Sequence, residues 1–385
     1  MSRIDDLIAE LCPRGVPVLS LRDVCTDFIV PMRDRPKVFD GEIPWCRIED
    51  IDAMSIRGSK IGLGVSETVI QQMNLKVMPQ GTVIASCSAS LGRYAINTVP
   101  LITNQTFIGL VCGPKLHNRF LLHLLFTKTE YLRSQSTTGT IAYISRQKFE
   151  ELLIPVPPIE VQREIVRILD QFKELEAELE AELEARRIQY EHYRNALLST
   201  HLPAGVEFKT LGELLGPIPR GKRLTKTNLA LRGSIPVFHG GLSPIGYHDE
   251  ANTPGETVMV INTGASSGGV GWSNEPFWCS DGCFALPHSQ TLSSRYLFHY
   301  ASLNQKYFTA KVRKAGIPTL ASDSILSLKI PVLPLARQIE IVRILDTLLD
   351  LTSSLSIGLP AEIEARRNQY QHYRDKLLTF PEPAV

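Results

Sequence analysis

An internal duplication constrains this chain more than any other feature. Residues 154–170 read IPVPPIEVQREIVRILD, and residues 330–346 read IPVLPLARQIEIVRILD, an offset of 176 positions. A second pair, EARRIQYEHYRNALL at 184–198 and EARRNQYQHYRDKLL at 364–378, is offset by 180. The two copies therefore differ by four residues, about one helical turn, between their matched ends. A repeat on this scale predicts two similar modules rather than one large domain.

Shorter matches extend the duplication to the rest of the chain. They pair LCPRGVPVLSL with HLPAGVEFKTL, GEIPW with GSIPV, PLITNQTFIGL with PFWCSDGCFAL, and TTGTIAYIS with KAGIPTLAS. We interpret the chain as two copies of one module, each a globular part of about 130 to 150 residues followed by a helical part.

The helical parts begin after prolines. Pro157 and Pro158, like Pro334 in the second copy, indicate a strand that ends and a helix that starts. Apolar residues then recur every three or four positions, which predicts a stripe along a long helix. The stripe comprises Ile165, Ile168, Phe172, Leu175, Leu179, Leu183, Ile341, Ile344, Leu348, Leu351 and Leu355. Gly358 and Pro360 predict a break and a restart in the second copy.

The first helical part contains the tetrapeptide ELEA three times, at residues 174–185. A helix of some 40 residues spans about 60 Å and cannot bury its stripe alone, so we expect the two copies to form an antiparallel pair. Each tetrapeptide adds about 6 Å to the helix and rotates the stripe by only about 40°. We interpret the tract as a ruler that sets the distance between the globular parts.

Composition restricts the class of protein. A chain of 385 residues with 43% apolar and 21% charged residues is typical of globular proteins, and no apolar run reaches the roughly 18 residues of a membrane helix. The N-terminal MSRIDDLIAELCP lacks the pattern of a secretory signal. The seven cysteines include no CxxC pair, which favours reduced thiols over disulfides or a zinc site. We expect a cytoplasmic protein with no metal site and no membrane contact.

Charge is unevenly distributed along the chain. Residues 1–150 hold 17 basic against 14 acidic residues, and 201–330 hold 12 against 8. The helical segments are acidic, with 6 against 11 in 151–200 and 6 against 7 in 331–385. Solvated helices alone explain the acidic segments, whereas the basic segments also favour contact with a polyanion. The sequence leaves both interpretations open.

The sequence predicts no catalytic residues. Adenine methylation requires an Asn/Asp-Pro-Pro-aromatic loop, and the chain contains no such tetrapeptide. The segment GPIPRGKR at 216–223 departs from a phosphate loop because Arg223 stands where a magnesium-binding Ser or Thr is required. We interpret its basic residues as phosphate contacts instead.

If the polyanion is DNA, polar and basic loops are the candidate contacts, because Arg, Lys, Asn and Gln reach base edges while Ser and Thr contact phosphates. In the first module the candidates are Arg93, Asn104, Gln105, Thr106, Arg133, Gln135, Ser136, Thr137, Thr138 and Thr140. In the second they are Arg220, Lys222, Arg223, Lys226, His239, Asn262, Thr263, Lys311, Arg313 and Lys314. Ordinary turn chemistry is the competing interpretation for each residue.

The two RRxQYxHYR segments are candidates for helix packing or for docking of another subunit. They contain Arg186, Arg187, Tyr190, Tyr193, Arg366, Arg367, Tyr370 and Tyr373.

Several of these features together resemble the specificity subunit of a type I restriction-modification system. They are the paired IPVPPxxxQxxIVxxLD segments, the ELEA tract, the GLPAEIEARRxQYxHYRxxLL ending and the two dissimilar globular modules. The resemblance covers essentially the whole chain. It implies an α+β fold in which two mixed α/β target recognition domains are joined by two long helices that form an antiparallel coiled coil, with an internal pseudo-twofold, circular repeat.

The same resemblance implies domain boundaries and a function. Residues 1–152 and 201–328 would be the recognition domains, and 153–200 and 329–385 the spacer helices. Each domain would read one half of a bipartite DNA site, and the coiled coil would fix the spacer and bind methylating subunits. One ELEA unit would then change the unread spacer by about two base pairs or fewer.

The implied partners are double-stranded DNA, two methylating subunits and two restriction (motor-nuclease) subunits. S-adenosylmethionine, magnesium and ATP would belong to those subunits, with no cofactor in this chain. Two rival classes remain: a self-sufficient enzyme that acts on DNA, and a coiled-coil scaffold that does not bind DNA.

Overall fold

The computed structural model describes residues 3–88, 90–137, 142–225, 229–353 and 358–380. The chain divides into two compact units. Unit 1 comprises Met1–Glu178 with Glu364–Val385, and unit 2 comprises Leu179–Ile363. Each unit therefore contains one globular part together with portions of both helical segments.

Unit 1 mixes helices and strands. Its described strands are β1 (Val18–Ser20), β2 (Cys25–Ile29), β3 (Ile43–Cys46), β4 (Ser55–Ile56), β5 (Gly64–Val65), β6 (Val83–Ser86), β7 (Tyr94–Asn97), β8 (Ile102–Thr103), β9 (Phe107–Cys112) and β10 (Leu153–Pro155). Its shorter helices are α1 (Arg3–Leu11), α2 (Leu21–Val24), α3 (Glu67–Met73), α4 (Asn118–Thr127), α5 (Thr129–Ser134) and α6 (Arg146–Glu150), with a 3₁₀ turn at Ile48–Asp50.

The strands of unit 1 form a five-stranded sheet, in the order β2-β9-β6-β7-β4, and a three-stranded sheet, β5-β3-β8. Successive side chains of a strand point to opposite faces of the sheet. In β6, Val83 and Ala85 accordingly join the buried cluster that includes Phe120 of α4, while Ile84 joins a second cluster with Cys46. Both faces of this strand are buried, which explains its run of apolar residues.

Unit 2 repeats the central part of this plan. Its described strands are β11 (Phe208–Thr210), β12 (Ile235–Phe238), β13 (Gly246–His248), β14 (Thr257–Ile261), β15 (Val270–Ser273), β16 (Trp278–Cys279), β17 (Cys283–Ala285) and β18 (Lys329–Pro331). Its helices within the unit are α8 (Leu211–Leu215), α9 (Ser294–Leu303), α10 (Gln305–Ala310), α11 (Ser322–Leu326) and α12 (Leu335–Ser353).

Two three-stranded sheets, β13-β12-β16 and β15-β14-β17, correspond to β5-β3-β8 and β7-β6-β9 of unit 1. In both units the central strand of the first sheet pairs antiparallel on one side and parallel on the other. The α+β class implied by the sequence is confirmed.

The IPV segments form strands that return to their own globular part. Strand β10 pairs antiparallel with β1, with Val18 opposite Pro155, and β18 pairs with β11 in the same way, with Phe208 opposite Pro331. The prolines that follow end each strand, and a helix begins a few residues later. Each spacer helix is therefore tied at its start to the first strand of its module.

Two helices cross the boundary between the units. Helix α7 (Ile159–Asn195) is continuous over 37 residues and ends in a π-helical turn at Ala196–Thr200, whereas α13 (Leu359–Leu377) follows α12 after an interruption. The predicted break is confirmed: Gly358 has a φ of +100°, and a Cβ there would lie 3.0 Å from the carbonyl oxygen of Asp350. No described helix is long and apolar enough to cross a membrane.

The predicted stripe is wrong at one level of α7 and at two positions of α12, where Ile344 and Leu351 are 37% and 41% exposed. Leu175 is 44% exposed, while Glu176 is 9% exposed. The Glu176 carboxylate lies 2.6 Å from Arg367 Nε and 2.8 Å from Lys173 Nζ, so an ion pair replaces an apolar contact against α13. Leu355 of the stripe lies outside the described residues.

Near this ion pair the ring of Phe172 stacks on Tyr373 at 5.3 Å between centroids. Because Glu176 follows Phe172 while Arg367 precedes Tyr373, α7 and α13 run antiparallel within unit 1.

Candidate nucleic-acid interface

A buried glutamine attaches each globular part to its spacer helix. Gln162 on α7 is fully buried, and its Nε2 donates to the carbonyl oxygens of Lys115 at 2.8 Å and Pro157 at 2.7 Å. Its Oε1 accepts from the backbone N–H of His117 at 2.8 Å. Gln338, 176 positions later, makes the corresponding three bonds at 2.7 to 3.0 Å. The orientation of each globular part on its helix is therefore fixed by the same contacts.

A buried histidine in unit 1 joins α4 to both helical segments. The ring nitrogens of His123 lie 3.1 Å from the hydroxyl of Tyr370 on α13 and 3.1 Å from the carboxylate of Asp170 on α7. Arg119, one turn earlier on α4, approaches the same carboxylate to 2.6 Å. Tyr370 therefore packs inside its unit.

Unit 2 contains the same network. His299 on α9 lies 3.4 Å from the hydroxyl of Tyr190 and 2.8 Å from Asp346, and Arg295 reaches that carboxylate at 2.8 Å. Neither network stands out in the sequence, because Arg119 and His123 match Arg295 and His299 only as isolated identities. The signal in the sequence is the constant offset of 176 positions between the Arg, His and Asp residues of the two networks.

The electrostatics of these networks follow from burial and pairing. Burial, the largest influence on the pKa of Asp346, raises it, but the hydrogen bond from His299 and the charge of Arg295 bring the net pKa below its ordinary value. Asp170 behaves in the same way. Burial lowers the pKa of His299, although Asp346 opposes this effect, so its imidazole is neutral at pH 7.

Three loops of unit 1 meet at Cys87, directly after β6. Its backbone N–H donates to the carbonyl oxygen of Thr106 at 2.8 Å, and its carbonyl oxygen accepts from the N–H of Ile144 at 2.8 Å. Next to this junction, Thr137 N–H donates to the carbonyl oxygen of Tyr143 at 3.0 Å. These bonds bring together residues from three separate stretches of the sequence.

Unit 2 builds the same junction at Asn262, directly after β14. Its N–H donates to the carbonyl oxygen of Gly282 at 3.1 Å, and its carbonyl oxygen accepts from Leu320 N–H at 2.8 Å. Arg313 and Thr319 exchange two backbone hydrogen bonds at 2.9 and 3.1 Å. The two units therefore share one backbone framework, which we call the loop junction, but present different side chains on it.

The candidates Arg93, Asn104, Gln105 and Thr106 lie at the loop junction of unit 1. Arg93 is exposed in the loop that connects β6 to β7. Asn104 Oδ1 accepts from the Thr106 hydroxyl at 2.7 Å, which is turn chemistry, while Gln105 at the same turn is exposed. Of these four, Arg93 and Gln105 are the exposed side chains.

The cluster from Arg133 to Thr140 reaches the same junction in part. Arg133 donates to Glu130 at 2.6 Å and to the carbonyl oxygen of Leu91 at 3.0 Å, so it supports the loop that carries Arg93. Gln135 accepts from Lys148 at 3.3 Å, and the Ser136 hydroxyl donates to the backbone. Two candidates lie outside the described residues: Thr138 and Thr140.

In unit 2 the structure places His239, Asn262 and Thr263 together. His239 Nδ1 lies 3.2 Å from the hydroxyl of Ser280 and 3.3 Å from the carboxylate of Asp281. The Asn262 side chain is 7% exposed, and its Oδ1 is buried without a hydrogen bond to any described residue. A buried amide oxygen without a donor is costly, so this group requires a donor that the described residues do not supply.

A basic segment runs beside the same end of unit 2. The N–H of Lys222 donates to the carbonyl oxygen of Cys279 at 3.1 Å, and Trp278 Nε1 donates to the Lys222 carbonyl oxygen at 2.7 Å. The exposed side chains of this segment are Arg220, Lys222 and Arg223. Lys226 lies outside the described residues.

The basic cluster near residue 313 divides into two parts. Lys311 Nζ donates to the hydroxyls of Tyr307 at 2.7 Å and Ser327 at 3.1 Å, so its charge is engaged with neighbouring side chains. Arg313 and Lys314 are exposed on the loop that Thr319 closes. The structure therefore places Arg313 at the loop junction, whereas Lys311 is bonded to Tyr307 and Ser327.

The proposed docking residues also divide. Tyr190 and Tyr370 are buried, 8% and 6% exposed, whereas Tyr193 and Tyr373 are 41% and 37% exposed. In unit 2 a groove of about 570 Å³ runs along Tyr193 and α12. Within the two segments Arg186 bonds to Glu182, Arg187 lies 3.9 Å from Glu184, Arg366 bonds to Gln369, and Arg367 bonds to Glu176.

In the parts of the chain that the structure describes, no three or more His, Cys, Asp or Glu side chains are grouped so that they could bind a metal ion.

Comparison with known proteins places this geometry in a family. Residues 13–185 and 203–365 each match the family described as "Type I restriction modification DNA specificity domain". The chain is 31% identical over 339 residues, 82% of each protein, to the type I restriction enzyme EcoprrI specificity subunit of Escherichia coli. It is also 32% identical over 325 residues to a putative type I specificity subunit of Haemophilus influenzae, covering 76% of this chain and 80% of that protein.

Solved structures show the same fold. The crystal structure of a type I restriction-modification system S subunit from M. genitalium matches with a TM-score of 0.63 and 19% identity, covering 96% of both chains. A second structure, from a study of type I complex assembly and conformational transition, matches with a TM-score of 0.58 and 19% identity, covering 94% of this chain and 97% of that one.

Proposed function

This chain belongs to the family of type I restriction-modification DNA specificity subunits, and we propose that each of its units reads one half of a bipartite DNA site. The observation that carries the proposal is the pair of loop junctions, in which one backbone framework presents different side chains. Gln105 corresponds to Asp281, and Thr137 to Arg313. Because base edges are read by side chains, different side chains on one framework support an asymmetric site.

We further propose that the helical segments set the unread spacer between the half-sites. Helix α7 is continuous through the ELEA tract, and the buried Gln162 and Gln338 attach each globular part rigidly to its helix. A change of helix length would therefore move one globular part relative to the other.

Two methylating subunits and two restriction subunits are the proposed protein partners. Tyr193, with the groove on α12, and Tyr373 are the exposed aromatic residues available for docking. We propose that this chain supplies no catalytic group, and that S-adenosylmethionine, magnesium and ATP bind to the partner subunits.

The test is to sequence modified bases across the genome of a strain that expresses this gene and its partner subunits, with the gene intact and deleted. We expect one split motif with a fixed gap to lose adenine methylation on deletion. If no motif changes, the specificity function is wrong for this chain. The alternative, a scaffold that does not bind DNA, then gains support if the complex shows no salt-dependent DNA affinity.

Deleting the middle ELEA unit, residues 178–181, tests the spacer separately. The helix should shorten by about 6 Å, so the gap should shrink by about two base pairs or fewer while both half-sites stay the same. A variant with Glu174→Ala and Glu178→Ala, two exposed residues of the same tract, keeps the helix length and serves as the control. A half-site that changes in the deletion variant, or a gap that does not, would contradict the ruler interpretation.

A further inference from the structure

The sheet β5-β3-β8 of unit 1 corresponds to the sheet β13-β12-β16 of unit 2. In each sheet, one residue directly follows the central strand. Strand β3 is followed by Arg47 and strand β12 by His239. The segments read GEIPWCR and GSIPVFH, so the register set by GEIPW and GSIPV pairs Cys46 with Phe238 and Arg47 with His239. Arg47 therefore occupies in unit 1 the position of His239 in unit 2.

Both positions lie against the same turn of the loop junction. In unit 1 the carbonyl oxygen of Cys46 accepts from Asn104 N–H at 3.3 Å, and in unit 2 that of Phe238 accepts from Ser280 N–H at 3.0 Å. The residue that follows each carbonyl is thereby held beside the turn. In unit 2, His239 Nδ1 lies 3.2 Å from Ser280 and 3.3 Å from Asp281, so a side chain at this position contacts the turn.

The backbone of Arg47 is fixed by a buried carboxylate. Arg47 N–H donates to Asp50 Oδ2 at 2.7 Å, and the other oxygen of Asp50 accepts from Lys60 N–H at 2.7 Å. Asp50 is 4% exposed. The side chain of Arg47 therefore starts from a rigid position, which lowers the entropy lost when it binds a ligand.

The guanidinium of Arg47 has hydrogen-bonding capacity to spare. Its side chain is 32% exposed, and the buried Nε has no hydrogen-bond partner among the described residues, so the donors open to a base are the two terminal nitrogens. Glu49 Oε2 lies 3.7 Å from Nε, an ion-pair distance that is too long for a hydrogen bond. Arg133, in contrast, already donates to Glu130 and to Leu91.

We propose that Arg47 is a specificity-determining residue that donates two hydrogen bonds to O6 and N7 of a guanine in the half-site read by unit 1. This pairing is the geometry in which a planar guanidinium distinguishes guanine from the other bases in the major groove. The inference rests on the proposed function and assigns one base contact to it.

The test uses the complete complex with its methylating subunits, expressed in a host without other adenine methylation, and modified-base sequencing. The variants are Arg47→Ala and Arg47→Lys, with Arg57→Ala as the matched control. Arg57 is exposed and follows β4, whose Ile56 pairs with Asn97 at the end of β7 away from Arg93.

We expect the Arg47→Ala complex to lose its preference for guanine at one position of one half-site by about 5- to 150-fold. Lysine should restore part of the affinity but not the preference. The other half-site and the gap should stay unchanged, and Arg57→Ala should leave the whole motif unchanged.

Three outcomes would overturn the inference. They are an unchanged motif in both Arg47 variants, a half-site with no guanine requirement in the unmodified complex, and loss of assembly with the methylating subunits in both variants. The last outcome would assign Arg47 a structural role. If the unmodified complex methylates no split motif, the proposed function itself fails, and the two failures are thereby distinguished.

Discussion

The two units share two buried hydrogen-bond networks but expose different side chains at their loop junctions. Gln162 and Gln338 make the same three hydrogen bonds, and His123 and His299 join the same kinds of partners on two helical segments. At the loop junctions, by contrast, the exposed Thr137 of unit 1 stands opposite the exposed Arg313 of unit 2. The comparison indicates that the interior preserves the geometry of each unit while the loop side chains differ between them.

The largest effect should follow from removing one of the buried glutamines that both units share. Gln162→Leu removes the partner of two carbonyl oxygens and one N–H in a buried or partly buried setting, so we expect unit 1 to lose about 3 to 5 kcal/mol of stability. Hydrogen exchange followed by mass spectrometry should show faster exchange in peptides of unit 1 than in those of unit 2.

Gln338→Leu should produce the opposite pattern, and Gln171→Leu, an exposed glutamine on the same helix as Gln162, should change stability by no more than about 0.5 kcal/mol. Equal acceleration of both units by Gln162→Leu would show that the two units do not unfold separately.

An intermediate effect is expected from a substitution at a loop junction, where the two units carry different side chains. Asn262→Ala removes a buried amide that we expect to bind a base, so discrimination at one position of the second half-site should fall by about 1 to 3 kcal/mol. Competition binding of the complex to duplexes with single-base changes measures this loss. Cys87→Ala at the equivalent position of unit 1 is the control and should leave the first half-site unchanged. Retained discrimination by Asn262→Ala would remove Asn262 from the set of reading residues.

The smallest effect concerns pH. Because burial lowers the pKa of His299 below its ordinary value of 6.5, the unfolded chain binds a proton that the folded unit rejects. The free energy of unfolding of unit 2 should therefore fall as the pH drops below 6.5, by at most about 1.4 kcal/mol per pH unit.

Asp346 does not contribute in this window. Its pKa is lowered below 3.8, so its stabilising effect is lost only as the pH falls through that lower value. Thermal unfolding between pH 7 and pH 5 measures the dependence, and His299→Gln should show a flatter curve. An identical slope in this variant would contradict the assignment to His299.

Sequence alone determined the duplication, the two helical segments, the restart after Gly358 and the family resemblance. These features depend on residue identity and spacing, since prolines, glycines and periodic apolar residues act locally on the backbone. It also identified Asn262, Arg93 and other polar loop residues as candidates, but could not separate them from residues that only stabilise turns.

Only the tertiary structure decided which loops meet and which polar side chains already have hydrogen-bond partners within the protein. The loop junctions are backbone hydrogen bonds, which leave no trace in side-chain identity, and the bond between His123 and Tyr370 joins positions 247 residues apart. Leu175 is exposed and Glu176 buried because a partner helix supplies Arg367. An amphipathic pattern depends only on how apolar each residue of the helix is. Which charged residue of another helix lies beside it is decided by the tertiary structure.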